Sequence, residues 1–240
     1  MSEHILNREF LLSGRLVEEI RRWSPDMRVY SDAERAALLA AFLAERPQPG
    51  HGAGVWVFAY GSLIWNPMVH HVERRAAHTP DWHRAFCLST SGGRGTPENP
   101  GLMLGLRPGP GYADGCTGVA FRIDEALIGP ELDLLWRREM VAPGYIPRWV
   151  KLADPKGADP GGATLGHGIA FTSDSAGPGY CDLAEEVIVR RIATASGRMG
   201  TAAEYLFRTR DGLRELGIDC PFVERIAVLV DAEMAAATGP

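Results

Sequence analysis

Val55-Trp56-Val57-Phe58-Ala59-Tyr60-Gly61-Ser62-Leu63-Ile64-Trp65-Asn66-Pro67 is the stretch whose reading decides the fold. Val55 to Tyr60 is an unbroken apolar run in which Ala59 is the only small residue, the content of a buried strand. The Gly61-Ser62 step then interrupts the pattern. Glycine accepts the backbone geometry of a sharp turn and, lacking a Cβ, lets a ligand come close to the main chain. Successive N–H groups in such a turn form a small anion-binding nest, to which the Ser62 hydroxyl adds a donor. Taken alone, Tyr-Gly-Ser reads as an ordinary strand-to-loop corner.

Upstream of this strand the chain reads as helical. Leu11, Leu12, Leu16, Val17 and Ile20 recur at helical spacing until Trp23-Ser24-Pro25 ends the segment. Ser31-x-x-Glu34 predicts a capping box for a second helix, Ala33 to Glu45, closed by Arg46-Pro47. Pro47 to Gly54 is rich in proline and glycine and reads as a linker. Residues 1–54 are therefore expected to be a helical N-terminal extension with its linker, and 55–237 the main domain.

Downstream, Trp82–Ser89, Leu102–Arg107 and Gly115–Ile123 have strand content and are joined by short Gly/Pro-rich connections, including the loop Ser91–Pro97. That pattern predicts a mainly antiparallel sheet or small barrel over alternating βαβ units. Leu127 to Met140 turns helical, and Pro143-Gly144-Tyr145 stops it. Trp149–Leu152 and Thr164–Phe171 read as strands around a polar loop, 153–163. The remainder is helical, with Asp182-x-x-Glu185 and Thr201-x-x-Glu204 as caps, the second helix running to Gly217. A last helix starts near Asp219-Cys220-Pro221.

The 240 residues are 45% hydrophobic and 23% charged, ample material for a core in one medium domain. With 25 Lys and Arg against 30 Asp and Glu the net charge is −5, and the arginine pairs are scattered among acids, so nucleic acid is not an expected partner. No stretch approaches the length of a membrane span and no secretory leader is visible. Cys87, Cys116, Cys181 and Cys220 lie far apart with no Cys-x-x-Cys pair, which points to reduced thiols in the cytoplasm.

Cofactor and nucleophile motifs are missing. Neither Gly-x-Gly-x-x-Gly nor a P-loop occurs, Ser62 has no Gly-x-Ser-x-Gly frame, and the His70-His71 pair has no His-Glu-x-x-His context. No metal and no cofactor is assigned. One carboxylate stands out by position: Glu139 ends the helical run Leu134-Leu135-Trp136-Arg137-Arg138-Glu139-Met140, just before Val141-Ala142-Pro143-Gly144-Tyr145. Spacing alone makes it a surface glutamate in a charged turn.

The longer strings carry more. Trp-Val-Phe-x-Tyr-Gly-Ser-Leu-Ile-Trp-x-Pro resembles the opening motif of the ChaC-type γ-glutamylcyclotransferases, enzymes that degrade glutathione. Arg-Glu-x-x-x-x-Gly-Tyr around Glu139 resembles the place of that family's catalytic glutamate. Arg94-Gly95-Thr96-Pro97 with Pro100-Gly101, Gly118–Arg122, and Ser196-Gly197-Arg198 with Glu204-Tyr205-Leu206-Phe207 are similar to further family segments. Together they cover about residues 55–230. Two positions depart from the pattern: Gly93 stands where a histidine is often found, and Ala59 where a glycine is frequent.

The resemblance implies an α+β fold, a γ-glutamylcyclotransferase-like mixed β-barrel with surrounding helices and the site at one mouth. It implies glutathione as substrate, Glu139 as general base and acid, and the turn Tyr60, Gly61, Ser62 and Leu63 as the holder of the substrate carboxylate or the developing oxyanion. Val57, Phe58 and Ala59 would line the approach, Arg94 would meet the glycine carboxylate, and Tyr145 and Tyr205 would hydrogen-bond substrate. A cyclotransferase for another γ-glutamyl compound stays open, as does a non-catalytic regulator, since the family was once linked to cation transport. Oligomeric state is not legible.

Overall fold

The computed structural model describes residues 6–47, 54–109, 115–155 and 164–237. Strand β1, Val55–Ala59, is buried along its whole length because it has a neighbour on each side. It runs antiparallel to β5, Cys116–Ile123, with Val55 opposite Ile123 and Ala59 opposite Val119. On its other edge it runs parallel to β7, Thr164–Ser173, with Val57 opposite Ile169. A strand paired on both edges and covered on both faces must be apolar throughout, which is what the run from Val55 supplies.

The circuit closes through β2 (Glu73–Thr79) and β6 (Tyr145–Ala153), giving a barrel in the order β1-β5-β2-β6-β7. Among the described residues the β2–β6 seam is joined by a single Cα pair, His78 with Ala153. Strands β3 (Trp82–Thr90) and β4 (Gly101–Pro108) form a separate antiparallel ribbon with a bulge between Phe86 and Leu88. The expected mainly antiparallel sheet or barrel is thus present, with one parallel seam.

Strand β2 escaped the sequence reading. Its Glu-Arg-Arg-Ala-Ala-His-Thr has neither the β-branched content nor the alternation of a strand, and it forms because β5 offers a full antiparallel edge from Arg122 to Cys116. Strand β6 begins at Tyr145, four residues before the expected Trp149, so Pro143-Gly144 leads straight from helix to strand. Parts of the expected linker and of the 153–163 loop lie outside the described residues.

The helices are α1 (Arg8–Leu12), α2 (Arg15–Trp23), α3 (Asp32–Ala44), α4 (Ile128–Glu139), α5 (Glu185–Thr194), α6 (Ala202–Arg214) and α7 (Pro221–Ala237). The first expected helix is split at Ser13-Gly14, where Gly14 takes φ 75°. The Ser31–Glu34 capping box forms in full, and Thr201 accepts from the Glu204 N–H. Asp182 does not cap α5, which starts after Ala184; its carboxylate accepts instead from Arg107 at 3.0 Å. Helix α6 ends at Arg214, short of Gly217.

Trp136, Phe58, Phe121, Phe171 and Tyr205 fill the core between barrel and helices. Phe42 of α3 joins them, stacked on Trp149 with ring centroids 4.8 Å apart and 5.3 Å from Trp136. Helix α3 is thereby packed into the same core as the barrel.

Candidate active site

Where β1 ends, Tyr60 is fixed at both ends of its side and main chain. Its hydroxyl donates to the Phe171 carbonyl of β7, and its own carbonyl accepts from Arg84 Nε at 2.6 Å. Arg84 is itself buried and also donates to the Thr117 carbonyl at 3.0 Å and to Cys220 Sγ at 3.0 Å. A buried guanidinium with carbonyl acceptors is satisfied and rigid, so the strand end is held from beneath.

Gly61 then turns the chain, and Ser62–Ile64 makes one 3-10 turn. A Cβ built on Gly61 would lie 2.6 Å from the Tyr205 hydroxyl, closer than real Cβ contacts. Glycine is required here for that close approach and not for a positive φ. At the start of the turn the N–H groups of Ser62 and Leu63 have no earlier turn of helix to bond to.

Helix α4 brings the carboxylate. Glu139 is its last residue, with a side chain only 12% exposed. Burial raises its pKa above the usual carboxylate value, opposed by the charge of Arg138. The carboxylate-disfavouring negative end of the α4 dipole acts in the same raising direction. Arg138 places its Nε 2.9 Å from Glu139 Oε1, and donates to Ser62 Oγ at 2.8 Å and to the Asn66 carbonyl at 2.5 Å. One guanidinium therefore ties the glutamate to the turn.

Glu139, Tyr60, Gly61, Ser62, Leu63, Tyr145 and Tyr205 surround one small niche of about 20 Å³, closed by Leu104 and Phe171. Burial, followed by the nearby Glu139 charge, drives the Tyr145 phenol well above its ordinary pKa. Burial pushes Tyr205 up to about 12, and its hydroxyl oxygen accepts from the Leu104 N–H at 3.3 Å. Both are neutral phenols over the physiological range. The niche opens into a larger cavity of about 570 Å³ that shares Ser62, Glu139, Tyr145 and Tyr205 with it.

The other expected contacts are placed differently. Val57, Phe58 and Ala59 are buried in the barrel and line neither the niche nor the larger cavity. Arg94 lines the larger cavity but is 6% exposed, donating to the Thr201 carbonyl at 2.7 Å and to Glu204 at 3.1 Å. Its guanidinium also lies over the rings of Trp65 and Tyr205. Arg84 and Arg138 are the residues that the sequence reading passed over. Arg138 had one available signal, its position next to Glu139; Arg84 had none. Among the described residues no group of three or more His, Cys, Asp or Glu side chains is placed to hold a metal ion, and no helix is long and apolar enough to cross a membrane.

The glutathione-specific gamma-glutamylcyclotransferase of Escherichia coli (strain K12) is 40% identical over 221 residues, covering 89% of this chain and 87% of that protein. Glutathione-specific gamma-glutamylcyclotransferase 1 of Homo sapiens is 30% identical over 185 residues, covering 76% of this chain and 80% of that protein. A crystal structure of the gamma-glutamyl cyclotransferase specific to glutathione from yeast matches with a TM-score of 0.68 at 20% identity. That likeness spans 78% of this chain and 100% of the yeast chain, and it shows a shared fold. The bacterial match covers more than residues 55–240 alone can supply, so it takes in part of the N-terminal helices. The family model described as ChaC-like protein matches residues 55–232. On that match and those identities, the chain belongs to the ChaC-like family.

Proposed function

We propose that the protein is a γ-glutamylcyclotransferase that cleaves glutathione to 5-oxoproline and cysteinylglycine. The observation that carries this reading is the buried Glu139 carboxylate facing the Tyr60-Gly61-Ser62-Leu63 turn across one niche. The names of the relatives support the substrate, and the four free cysteines suit a reducing cytoplasm.

The nucleophile is inside the substrate. The γ-glutamyl α-nitrogen attacks the γ-carbonyl carbon, a C–N bond forms to close the five-membered lactam, and the amide C–N bond to cysteinylglycine breaks. Glu139 takes the proton that the α-ammonium loses before attack and gives one to the departing nitrogen; the second proton, shed by the ring nitrogen as the lactam forms, ends on the cysteinylglycine amine, so protons balance and no water is consumed. A carboxylate made more basic by burial suits that work better than an exposed one. N–H groups of the Gly61–Leu63 turn and the Ser62 hydroxyl stabilise the oxyanion or hold the α-carboxylate. Arg138 orients both partners, and holding the substrate folded supplies much of the rate. Tyr145 and Tyr205, as neutral phenols, offer hydrogen bonds to substrate, and Arg94 adds positive charge for the glycine carboxylate. Val57, Phe58 and Ala59 act from below by fixing the turn.

Metal-stripped protein incubated with reduced glutathione is expected to release 5-oxoproline and cysteinylglycine in equal amounts. Release of 5-oxoproline from a γ-glutamyl dipeptide but not from glutathione would transfer the activity to another γ-glutamyl compound. No 5-oxoproline from any of them would remove the enzyme reading.

The electrostatics predict a pH effect. The acid limb of kcat/KM follows Glu139, since only its ionised form accepts the proton. Arg138 lowers the Glu139 pKa, so Arg138→Met removes the lowering and leaves the raising effect of burial. The limb is then expected to move to higher pH, with a lower maximum because the bonds to Ser62 and Asn66 are lost. A limb that stays in place or moves to lower pH would show that the titrating group is elsewhere.

A further inference from the structure

The larger cavity has two walls of different origin. One comes from the main domain: Trp65, Met103, Pro143, Met199 and the arginines Arg94 and Arg208. The facing wall comes from α2 and the segment after it, where Leu16, Ile20 and Trp23 of the helix and then Met27 present apolar side chains. Helices α1 and α2 lie outside residues 55–232 matched by the family model, yet α2, and Leu6 just ahead of α1, border the space that Glu139 faces.

They are held there firmly. Arg8 makes a two-pronged pair with the buried Glu131 of α4, at 2.5 and 2.9 Å, and donates to the Met68 carbonyl at 2.7 Å. Met68 has φ 60°, the only positive φ outside glycine among the described residues. The Asn66 side chain donates to the Leu6 carbonyl at 3.1 Å, and the Tyr30 N–H to the Val141 carbonyl at 3.0 Å. Leu11, Leu16 and Leu134 make a small core of their own between these helices and α4. Trp23 is packed on the loop beneath it: a Cβ on Gly92 would lie 3.1 Å from its ring. Both ends of the anchor, Glu131 and Asn66, belong to the segments that carry Glu139 and the turn.

A niche of about 20 Å³ admits only the reacting atoms, so the rest of a γ-glutamyl peptide must extend into the larger cavity. At about 570 Å³ that cavity is of ordinary size for a small-molecule site. We propose that α2, anchored through α1, completes the substrate site, and that Ile20 and Trp23 form the surface against which the leaving cysteinyl side chain packs, setting which leaving groups are accepted. The thiol side is apolar and suits that wall, while the far carboxylate suits the arginine side. The proposal rests on the γ-glutamylcyclotransferase reading of the same site.

The test compares kcat/KM for glutathione and S-hexylglutathione, followed by 5-oxoproline release, in full-length wild type, Trp23→Ala and Ile20→Ala. Opening the wall is expected to raise the S-hexylglutathione-to-glutathione ratio by about tenfold, chiefly through KM, the usual scale for altering an apolar specificity contact. A purely structural role lowers both substrates together and leaves the ratio unchanged, which overturns the proposal. Ile20→Ala keeps the Trp23–Gly92 packing and guards against a Trp23 variant that fails to fold. If wild type releases 5-oxoproline from neither compound, the reading of the reaction has failed, an outcome separate from an unchanged ratio in an active enzyme.

Discussion

Glu139→Gln is expected to lower kcat on glutathione by roughly 10³-fold while the protein remains folded, the scale on which a positioned general base and acid acts. Glutamine matches the shape of glutamate and keeps a polar contact with Arg138, but it can neither take the ammonium proton nor deliver one to the leaving nitrogen. KM should change little, because the turn and the other residues that line the outer cavity are untouched. The substitution leaves the Arg138 charge without its 2.9 Å partner, so some loss of melting temperature accompanies it. The measurement is 5-oxoproline release at saturating glutathione, with circular dichroism to confirm the fold. A folded variant within tenfold of wild type would remove Glu139 from the chemistry.

Gly61→Ala should be the next most damaging change at the site. The added Cβ would sit 2.6 Å from the Tyr205 hydroxyl and 3.7 Å from Leu104 Cβ. Tyr205 cannot easily retreat, being 2% exposed with its oxygen engaged by the Leu104 N–H. Forcing a methyl into such packing costs about 1–3 kcal/mol, and the strain falls on the turn proposed to receive the substrate's negative charge. A fall in kcat/KM of about 10²-fold is expected, the effect of misplacing one oxyanion donor. The diagnostic is the double variant Gly61→Ala with Tyr205→Phe, which removes the colliding oxygen and should recover part of the loss. If Gly61→Ala alone is as active as wild type, the tight Gly61–Tyr205 approach is not what fixes the turn.

The sequence made local things visible and left distant ones hidden. The strand from Val55, the Gly61 turn, the Ser31 box and the Thr201 cap were all legible because each is decided by neighbours in the chain. Strand β2 was not: its residues carry little strand preference and accept the role from β5. Glu139 looked like a solvent-facing charge by spacing, and only its likeness to a family motif singled it out. The structure explains why spacing misled, since Tyr145 and Tyr205 from separate elements enclose that helix end. Arg84 gave no sign of its role, and Arg138 only its place beside Glu139, because their acceptors, Tyr60, Thr117, Ser62 and Asn66, are far along the chain. Val57, Phe58 and Ala59 were expected beside the substrate, whereas their burial makes them the foundation of the turn.

The parallel seam between β1 and β7 has a consequence for synthesis. The strand that carries the turn leaves the ribosome early, but its second edge stays open until residues around Ile169 have followed. Glu139 arrives between them, and Tyr205, which lines the niche, later still. The reactive pocket is thus a late product of translation, so a nascent or C-terminally truncated chain has its turn motif and its glutamate yet no assembled catalyst.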